Sequence, residues 1–353
     1  MEEHIEHTDE TEEEEQEGEF PVSELDFHTD SVMSVSIHPQ DPECFATGGV
    51  DDKAFLIKGE DAHEFADNQD SISIVRFSSE GKFLALACMD GSVSVYNLEC
   101  PENLPKKLEG PQDEVLSMEW HRKGPVLVVG CADLSIWVWH VEKQDPLGVI
   151  YGHPINLVKF SPNGRFLYSA GKDASLKVWD LKNPDFASAP PASTIQGNTF
   201  HSSEIVSADM HSDNNLILTG DCEGTICITN RSRNSVLHRI RCFEESAEDL
   251  AFCQEMNWIA VGSLTGEVKV YEVETMQMRW GISVGEGVVK LVWSGLDLFV
   301  GGIGGVLESF DARNGYLKNK YLGHEDTVLD FDIKHGKMIS GSDDKKVLIH
   351  LVS

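Results

Sequence analysis

The stretch Ile150–Leu181, IYGHPINLVKFSPNGRFLYSAGKDASLKVWDL, decides how the chain is read. It holds three short β-patterned runs, Ile155–Phe160, Phe166–Ala170 and Leu176–Trp179. Ser161-Pro162-Asn163-Gly164 and Gly171-Lys172-Asp173-Ala174 supply the turn chemistry between them. A Gly152-His153 pair opens the unit and Trp179-Asp180 closes it. A sheet this small cannot bury both of its faces alone, so the pattern should recur.

It recurs through the chain. The dipeptide at the Trp179-Asp180 position is matched by Ile57-Lys58, Tyr96-Asn97, Trp139-His140, Thr229-Asn230, Tyr271-Glu272, Phe310-Asp311 and Ile349-His350. In phase with it runs an apolar triplet spaced i, i+3, i+5: Val32/Val35/Ile37, Ile72/Val75/Phe77, Val115/Met118/Trp120, Ile155/Val158/Phe160, Ile205/Ala208/Met210, Ala247/Leu250/Phe252, Val288/Leu291/Trp293 and Val328/Phe331/Ile333. A period of roughly 40–45 residues with Gly-His and Trp-Asp punctuation is the signature of WD repeats, each a four-stranded propeller blade. The expectation is therefore all-β: a single eight-bladed WD-repeat β-propeller over 20–353, behind a disordered acidic tail over 1–19. The chain stops after the inner strands of the eighth sheet, so Val22–Phe27 is expected to supply its outer strand and remove the free edge.

Composition narrows the function. The net charge is −32, and residues 1–19 hold eleven Asp or Glu and no Lys or Arg, leaving −21 on the remainder. Such a charge disfavours nucleic acid and anionic membranes as partners and favours a basic protein or plain solubility. The tail is too polar to bury a core, and its His4 and His7 read as solvated residues rather than a metal pair. No apolar run is long enough to span a membrane and no secretory leader pattern is present. Eight cysteines without a C-x-x-C pair read as free, mostly buried thiols in the cytoplasm, with nuclear presence left open.

Several motifs superficially suggest chemistry. His153, Ser169, Asp173 and Trp179 resemble a Ser-His-Asp set, but in such a repeat they hydrogen-bond within the blade, so a structural network is expected. Repeat four is the one copy read as holding that network complete. Asp51, Asp90 and Asp133 share the turn position of Asp173, Thr265 and Gly304 replace it in repeats six and seven, and Asp343 recovers it in repeat eight. Gly301-Gly-Ile-Gly-Gly305 lies between two strands and reads as a tight turn, not a phosphate loop. Asn183–Thr194, rich in Pro, Ala and Ser, reads as a flexible loop protruding opposite the Asp turns. No catalytic residue, metal site or cofactor is expected.

Thr47-Gly-Gly-Val-Asp-Asp-Lys-Ala-Phe55, Met118-Glu-Trp-His121 with Pro125-Val-Leu127, and Phe310-Asp-Ala-Arg-Asn-Gly-Tyr-Leu317 with Gly323-His324 and Leu329-Asp-Phe331 resemble the angio-associated migratory cell protein family. An acidic extension ahead of eight repeats is similar too. The chain departs from the family pattern in lacking most Trp-Asp dipeptides and in a short linker after repeat five. The resemblance implies two roles. The family's fungal counterpart is a dedicated chaperone that captures the N-terminal segment of a basic large-subunit ribosomal protein on the acidic top of its propeller. Animal members are linked to cell migration and Rho-type signalling, which would make the chain a cytoplasmic scaffold. A weaker match, Phe310-Asp-Ala-Arg313 to the Trp-Asp-x-Arg box, would make it a substrate receptor of a cullin-type ubiquitin ligase.

One column of the repeat favours capture of a basic segment by a monomer. Two residues before each triplet stand Asp30, Asp70, Asp113, His153, Ser203, Glu245, Glu286 and Asp326. Six of these eight are acidic, against 60 of 353 in the whole chain, and Glu114 and Glu204 follow in the next column. Turn preference and solubility explain scattered acids better than a ring in register. The partner-binding residues expected are Asp30, Asp70, Asp113, Glu114, Glu204, Glu245, Glu286 and Asp326, and the partner that the resemblance implies is a nascent large-subunit ribosomal protein.

Overall fold

The computed structural model describes residues 18–65, 68–100, 104–143 and 145–352. Expectations for 1–17, the His4 and His7 pair included, lie outside them. The strands form eight four-stranded antiparallel sheets. Seven follow chain order from inner to outer strand. The eighth runs Val328–Lys334, Lys337–Ser342, Val347–Leu351 and then Ser23–Leu25. The closing ladder pairs Ser23 with Ile349 and Leu25 with Val347, shorter than the Val22–Phe27 run, and the Val22 N–H adds a bond to Ile349 O at 2.8 Å. One residue ahead of the expected boundary, Glu19 bridges Tyr321 in parallel, donating to Lys320 O (2.7 Å) and accepting from Leu322 N (2.8 Å). Residues 19–25 thus stitch blade seven to blade eight and cover the last edge.

The i, i+3, i+5 triplet has a physical cause. A plain strand would bury i, i+2, i+4. In all eight inner strands a bulge falls after the first triplet residue, between Val32 and Ser34 in blade one and between Val328 and Asp330 in blade eight. The extra residue resets the alternation, so the later two members return to the same face. Twenty-two of the twenty-four triplet residues are buried, Trp293 and Ile333 being half-buried. Their side chains form the apolar layers between neighbouring blades.

Close approach between blades explains six glycines opposite the bulges. A Cβ on Gly48 would lie 2.5 Å from Ile72 Cγ2 and 2.8 Å from Val75 Cγ1, both on the next blade. Both neighbours are β-branched and stiff. Gly48→Val is expected to lower stability by about 1–3 kcal/mol through overpacking, read as a drop in the urea midpoint at unchanged m-value.

Two expectations about repeat eight and one about the long loop are corrected. The residue of blade eight at the Trp179 position is His350, not Ile349, because Met338 pairs with His350 as Leu167 pairs with Trp179. The turn carboxylate accordingly shifts from Asp343 to Asp344. The Asn183–Thr194 loop is not a free protrusion: Phe186 is buried beside Val126, Leu181 and Ala187, over Gly148. Its one large apolar side chain finds a seat in the seam between blades three and four. Ile303–Gly305 forms a single 3-10 turn between two strands. All eight cysteines are free, and only Cys222 is exposed.

Candidate functional site

The top of the propeller is the face where inner strands begin and where second strands turn into third strands. Its loops are fixed by one hydrogen bond repeated in every blade. The carbonyl of the residue after each column position accepts an N–H from the turn of the same blade, from Val50 N–Ser31 O (2.9 Å) round to Asp343 N–Thr327 O (3.0 Å). All eight column residues therefore sit at equivalent places around the central channel. Asp30, Asp70, Asp113 and Asp326 each accept the N–H of the following residue at 2.7–2.9 Å. This is local turn chemistry, and it engages one oxygen of each carboxylate. Asp30, Asp113, Glu245, Glu286 and Asp326 are exposed, while Asp70, Glu114 and Glu204 are half-buried. Glu204 spends one oxygen on Asn156 Nδ2 (2.7 Å) across the gap to blade four.

Among the described residues, no Lys or Arg lies within ion-pair distance of any of these eight acids. Turns on the same face add Asp52, Asp90, Asp133, Glu223 and Asp343 against Lys53, Lys172 and Lys345. Acids therefore outnumber cations among the described residues of these turns, and like charges set side by side repel one another. The ring lapses at blade four, where His153 is buried.

The His153 network is present, and blade four is not alone in holding one. In blade one His28 bonds Asp51 (2.9 Å) and Thr47 (2.9 Å). In blade five His201 bonds Asp221 (2.7 Å) and Thr219 (2.7 Å). In blade eight His324 bonds Asp344 (2.8 Å) and Ser340 (2.8 Å). Blade four is the looser variant. Its loop is two residues shorter, so the ring is reversed: Nδ1 meets Ser169 Oγ at 2.7 Å, while Nε2 lies 3.2 Å from Ser175 Oγ and 3.4 Å from Asp173. Trp179 contributes its ring, 6.0 Å from that of His153. Burial holds the His153 imidazole at about 4, so it is neutral at physiological pH. Ser169 is fully buried, which denies it any substrate. Among the described residues no cluster of three His, Cys, Asp or Glu is placed to hold a metal.

A second polar layer lines the channel below the ring. Inner strands expose one edge of N–H groups, and side chains of the preceding blade cover it. Ser34 Oγ accepts Val75 N, Ser117 Oγ accepts Val158 N, Asp209 accepts Phe252 N and Asp249 accepts Leu291 N. Asp330 closes the circle. It accepts Ser34 Oγ (3.0 Å) and Val35 N (3.0 Å) from blade one, and pairs with Arg76 of blade two (3.2 Å) and Lys290 of blade seven (2.6 Å). Burial would raise its pKa, but Lys290 and Arg76 outweigh burial and hold it at about 2. A cavity of about 290 Å³ at the channel mouth is lined by Arg76, Glu248, Asp249, Lys290 and Asp330 among others.

Glu119, which accepts Phe160 N on blade four, is the opposite case. Desolvation in the channel wall raises its pKa from 4.5 to about 7, against the pull of that N–H and of Lys159 and Arg122. The folded state therefore binds a proton that the unfolded chain releases, and this contribution is complete below pH 4.5 and lost as pH rises through 7. Glu119→Gln keeps an oxygen for Phe160 N and cannot ionise. The stability difference between variant and wild type should move in the variant's favour by about 2 kcal/mol from pH 5 to pH 8, measured by urea unfolding. A flat difference across that range would contradict the assignment.

Sequence reading found the ring but missed the channel layer. Its residues sit between the triplet positions and vary from Ser to Asp to Glu, so no single residue type repeats. The extra His networks were legible in the spacing of His201 to Asp221 and His324 to Asp344, which equals that of His153 to Asp173.

Comparison with known proteins places this architecture. The chain is 29% identical over 356 residues to human angio-associated migratory cell protein, covering 94% of this chain and 80% of that one. It is 24% identical to the ribosome assembly protein SQT1 of Saccharomyces cerevisiae, over 92% of this chain and 83% of the relative. In structure it is similar to Chaetomium thermophilum Sqt1 bound to the N-terminus of the ribosomal protein L10, with a TM-score of 0.83 at 22% identity, covering 94% of this chain and 99% of that one. The WD domain, G-beta repeat family matches residues 19–57, 59–97, 102–140, 144–180 and 192–230, and blades six to eight repeat the same sheet beyond the match. The chain belongs to the WD domain, G-beta repeat family.

Proposed function

We propose that this propeller is a dedicated chaperone of a large-subunit ribosomal protein, shielding an extended Arg/Lys-rich segment of it on the acidic top face. It acts as a cytoplasmic monomer, without catalysis. The observation that carries this reading is the ring of acids in register, held at equivalent positions by one repeated hydrogen bond and, among the described residues, not ion-paired with any Lys or Arg. The similarity to a ribosome assembly protein, and to a structure solved with a ribosomal protein N-terminus, supports the choice of partner. Newly made ribosomal proteins carry dense positive charge that would otherwise bind nucleic acid, and a face of opposite sign screens it until assembly.

The signalling-scaffold and ligase-receptor readings have less in their favour. Arg313, which would serve the ligase box, folds back onto Asp311 with Nη2–Oδ2 at 2.6 Å. Affinity purification of the tagged full chain at low salt, with mass spectrometry of what accompanies it, tests the proposal. One large-subunit ribosomal protein enriched above all others is the expected result. GTPase or receptor components, or ligase adaptors, in its place would overturn it.

A further inference from the structure

The gap in the acidic ring at blade four is not simply neutral surface. In all eight blades the fourth residue of the top turn is left-handed, and the occupants are Asp52, Gly91, Leu134, Ala174, Gly224, Gly266, Gly305 and Lys345. In four of them, at Gly91, Gly224, Gly266 and Gly305, the backbone of the neighbouring loop crosses close by. A Cβ at Gly91 would lie 2.6 Å from Asp113 O, and one at Gly224 would lie 2.4 Å from Glu245 O. Leu134 fits because the loop into blade four is short, and its carbonyl takes the Gly152 N–H at 2.9 Å. A branched apolar residue at φ 68° is strained in conformation, and with 45% of its surface exposed Leu134 leaves nearly half of its apolar side chain to solvent.

Beside it, Tyr151 is 71% exposed and stands edge-on to Trp137, ring centroids 6.4 Å apart. Trp137 is immobilised by stacking on Trp139 (5.4 Å) and by donating Nε1–H to Ser135 Oγ (2.8 Å). Leu134 and Tyr151 are brought together at the end of the blade, where the Leu134 carbonyl takes the Gly152 N–H and Ser135 pairs with Tyr151. With Trp137, whose ring also packs against Gly110, they make an apolar shelf; Asp133, which accepts the Gln112 N–H, borders it on the side of Asp113.

We infer that Leu134, Tyr151 and Trp137 form an anchoring subsite for one aromatic side chain carried within the Arg/Lys-rich segment. This rests on the proposed capture of such a segment. The flanking carboxylates admit basic neighbours, and the shelf covers the one apolar residue between them. The ring supplies encounter and the shelf supplies register along the segment.

Two labelled synthetic peptides test it by fluorescence anisotropy: six arginines around a central glycine, and the same peptide with a central tyrosine. On the wild-type chain the tyrosine peptide should bind about tenfold tighter than the glycine peptide. In Leu134→Gly and in Tyr151→Ser that advantage should shrink to within about twofold, with glycine-peptide binding unchanged. Leu134→Gly relieves the left-handed conformation, so its melting temperature should hold or rise, and misfolding cannot mimic the loss. No tyrosine advantage on the wild type, or one that survives in both variants, would overturn the subsite. Failure of both peptides to bind the wild type would overturn the acidic-face reading and the subsite with it.

Discussion

Asp330→Ala should lower folding stability by about 3–5 kcal/mol, the largest effect expected of any single substitution here. The carboxylate is almost fully buried, and its partners come from blades one, two and seven. Removing it leaves the Arg76 and Lys290 charges half-buried against each other without their counterion, and uncovers the Val35 N–H at the seam where the ring closes. Asp330→Asn retains an acceptor for Ser34 and Val35 and should lose less. The native Asp330 pKa lies below its unfolded value, so its contribution is present above pH 3.8 and disappears as pH falls through about 2. Urea unfolding at pH 7 measures the loss. An alanine variant within about 1 kcal/mol of wild type would show that the channel layer is not what holds the closure.

Reversing Asp70, Asp113 and Glu286 together to Lys should weaken binding of an Arg/Lys-rich segment by at least about a hundredfold. Each exposed contact contributes about 0.2–1 kcal/mol, and reversal turns three attractions into repulsions. No one of the three should dominate. The lost hydrogen bonds at Ser71 and Glu114 would lower the melting temperature slightly while circular dichroism stays native. Matched reversals of Glu80, Glu255 and Glu274, exposed on the opposite face, should leave affinity intact. Isothermal titration against the same peptide compares the two sets.

Much of this architecture was legible in the chain because repetition converts weak signals into a strong one. Ile155/Val158/Phe160 alone fits neither a helix nor a plain strand, yet eight copies in phase with a dipeptide require a blade. Closure by an N-terminal outer strand was legible from the missing outer strand of the last sheet, as Val22–Phe27, although the ladder itself is the shorter Ser23–Leu25. The bulge that sets the triplet spacing was not, because Met33, Ser73, Leu116, Asn156, Val206, Glu248, Val289 and Leu329 range from apolar to charged with no one residue type in common. Only the pairing register exposes the extra residue. The shift at blade eight escaped for a related reason: two adjacent aspartates, Asp343 and Asp344, fit the turn equally well until His324 selects the second. The acidic column was legible as a pattern, whereas the lack of ion pairs to it among the described residues is a three-dimensional fact. Lys53 and Lys346 are near in sequence to other ring or turn acids, yet they pair with Glu64 and Glu24 on outer strands.

The central claim is that charge on the top face, rather than turn geometry, captures the ligand. Asn in place of Asp30, Asp70, Asp113 and Asp326 keeps the side-chain oxygen that caps each turn, and Gln replaces Glu245 and Glu286. The decisive measurement is the dissociation constant of a labelled Arg/Lys-rich peptide as a function of salt, for this six-fold neutral variant and for wild type. Wild type should bind tightly at low salt and lose affinity steeply as salt screens the ring. The neutral variant should melt at the same temperature or higher, through relief of self-repulsion, and bind weakly at every salt concentration. Equal affinities and equal salt slopes for the two proteins would contradict the account and leave the acids to turn chemistry alone.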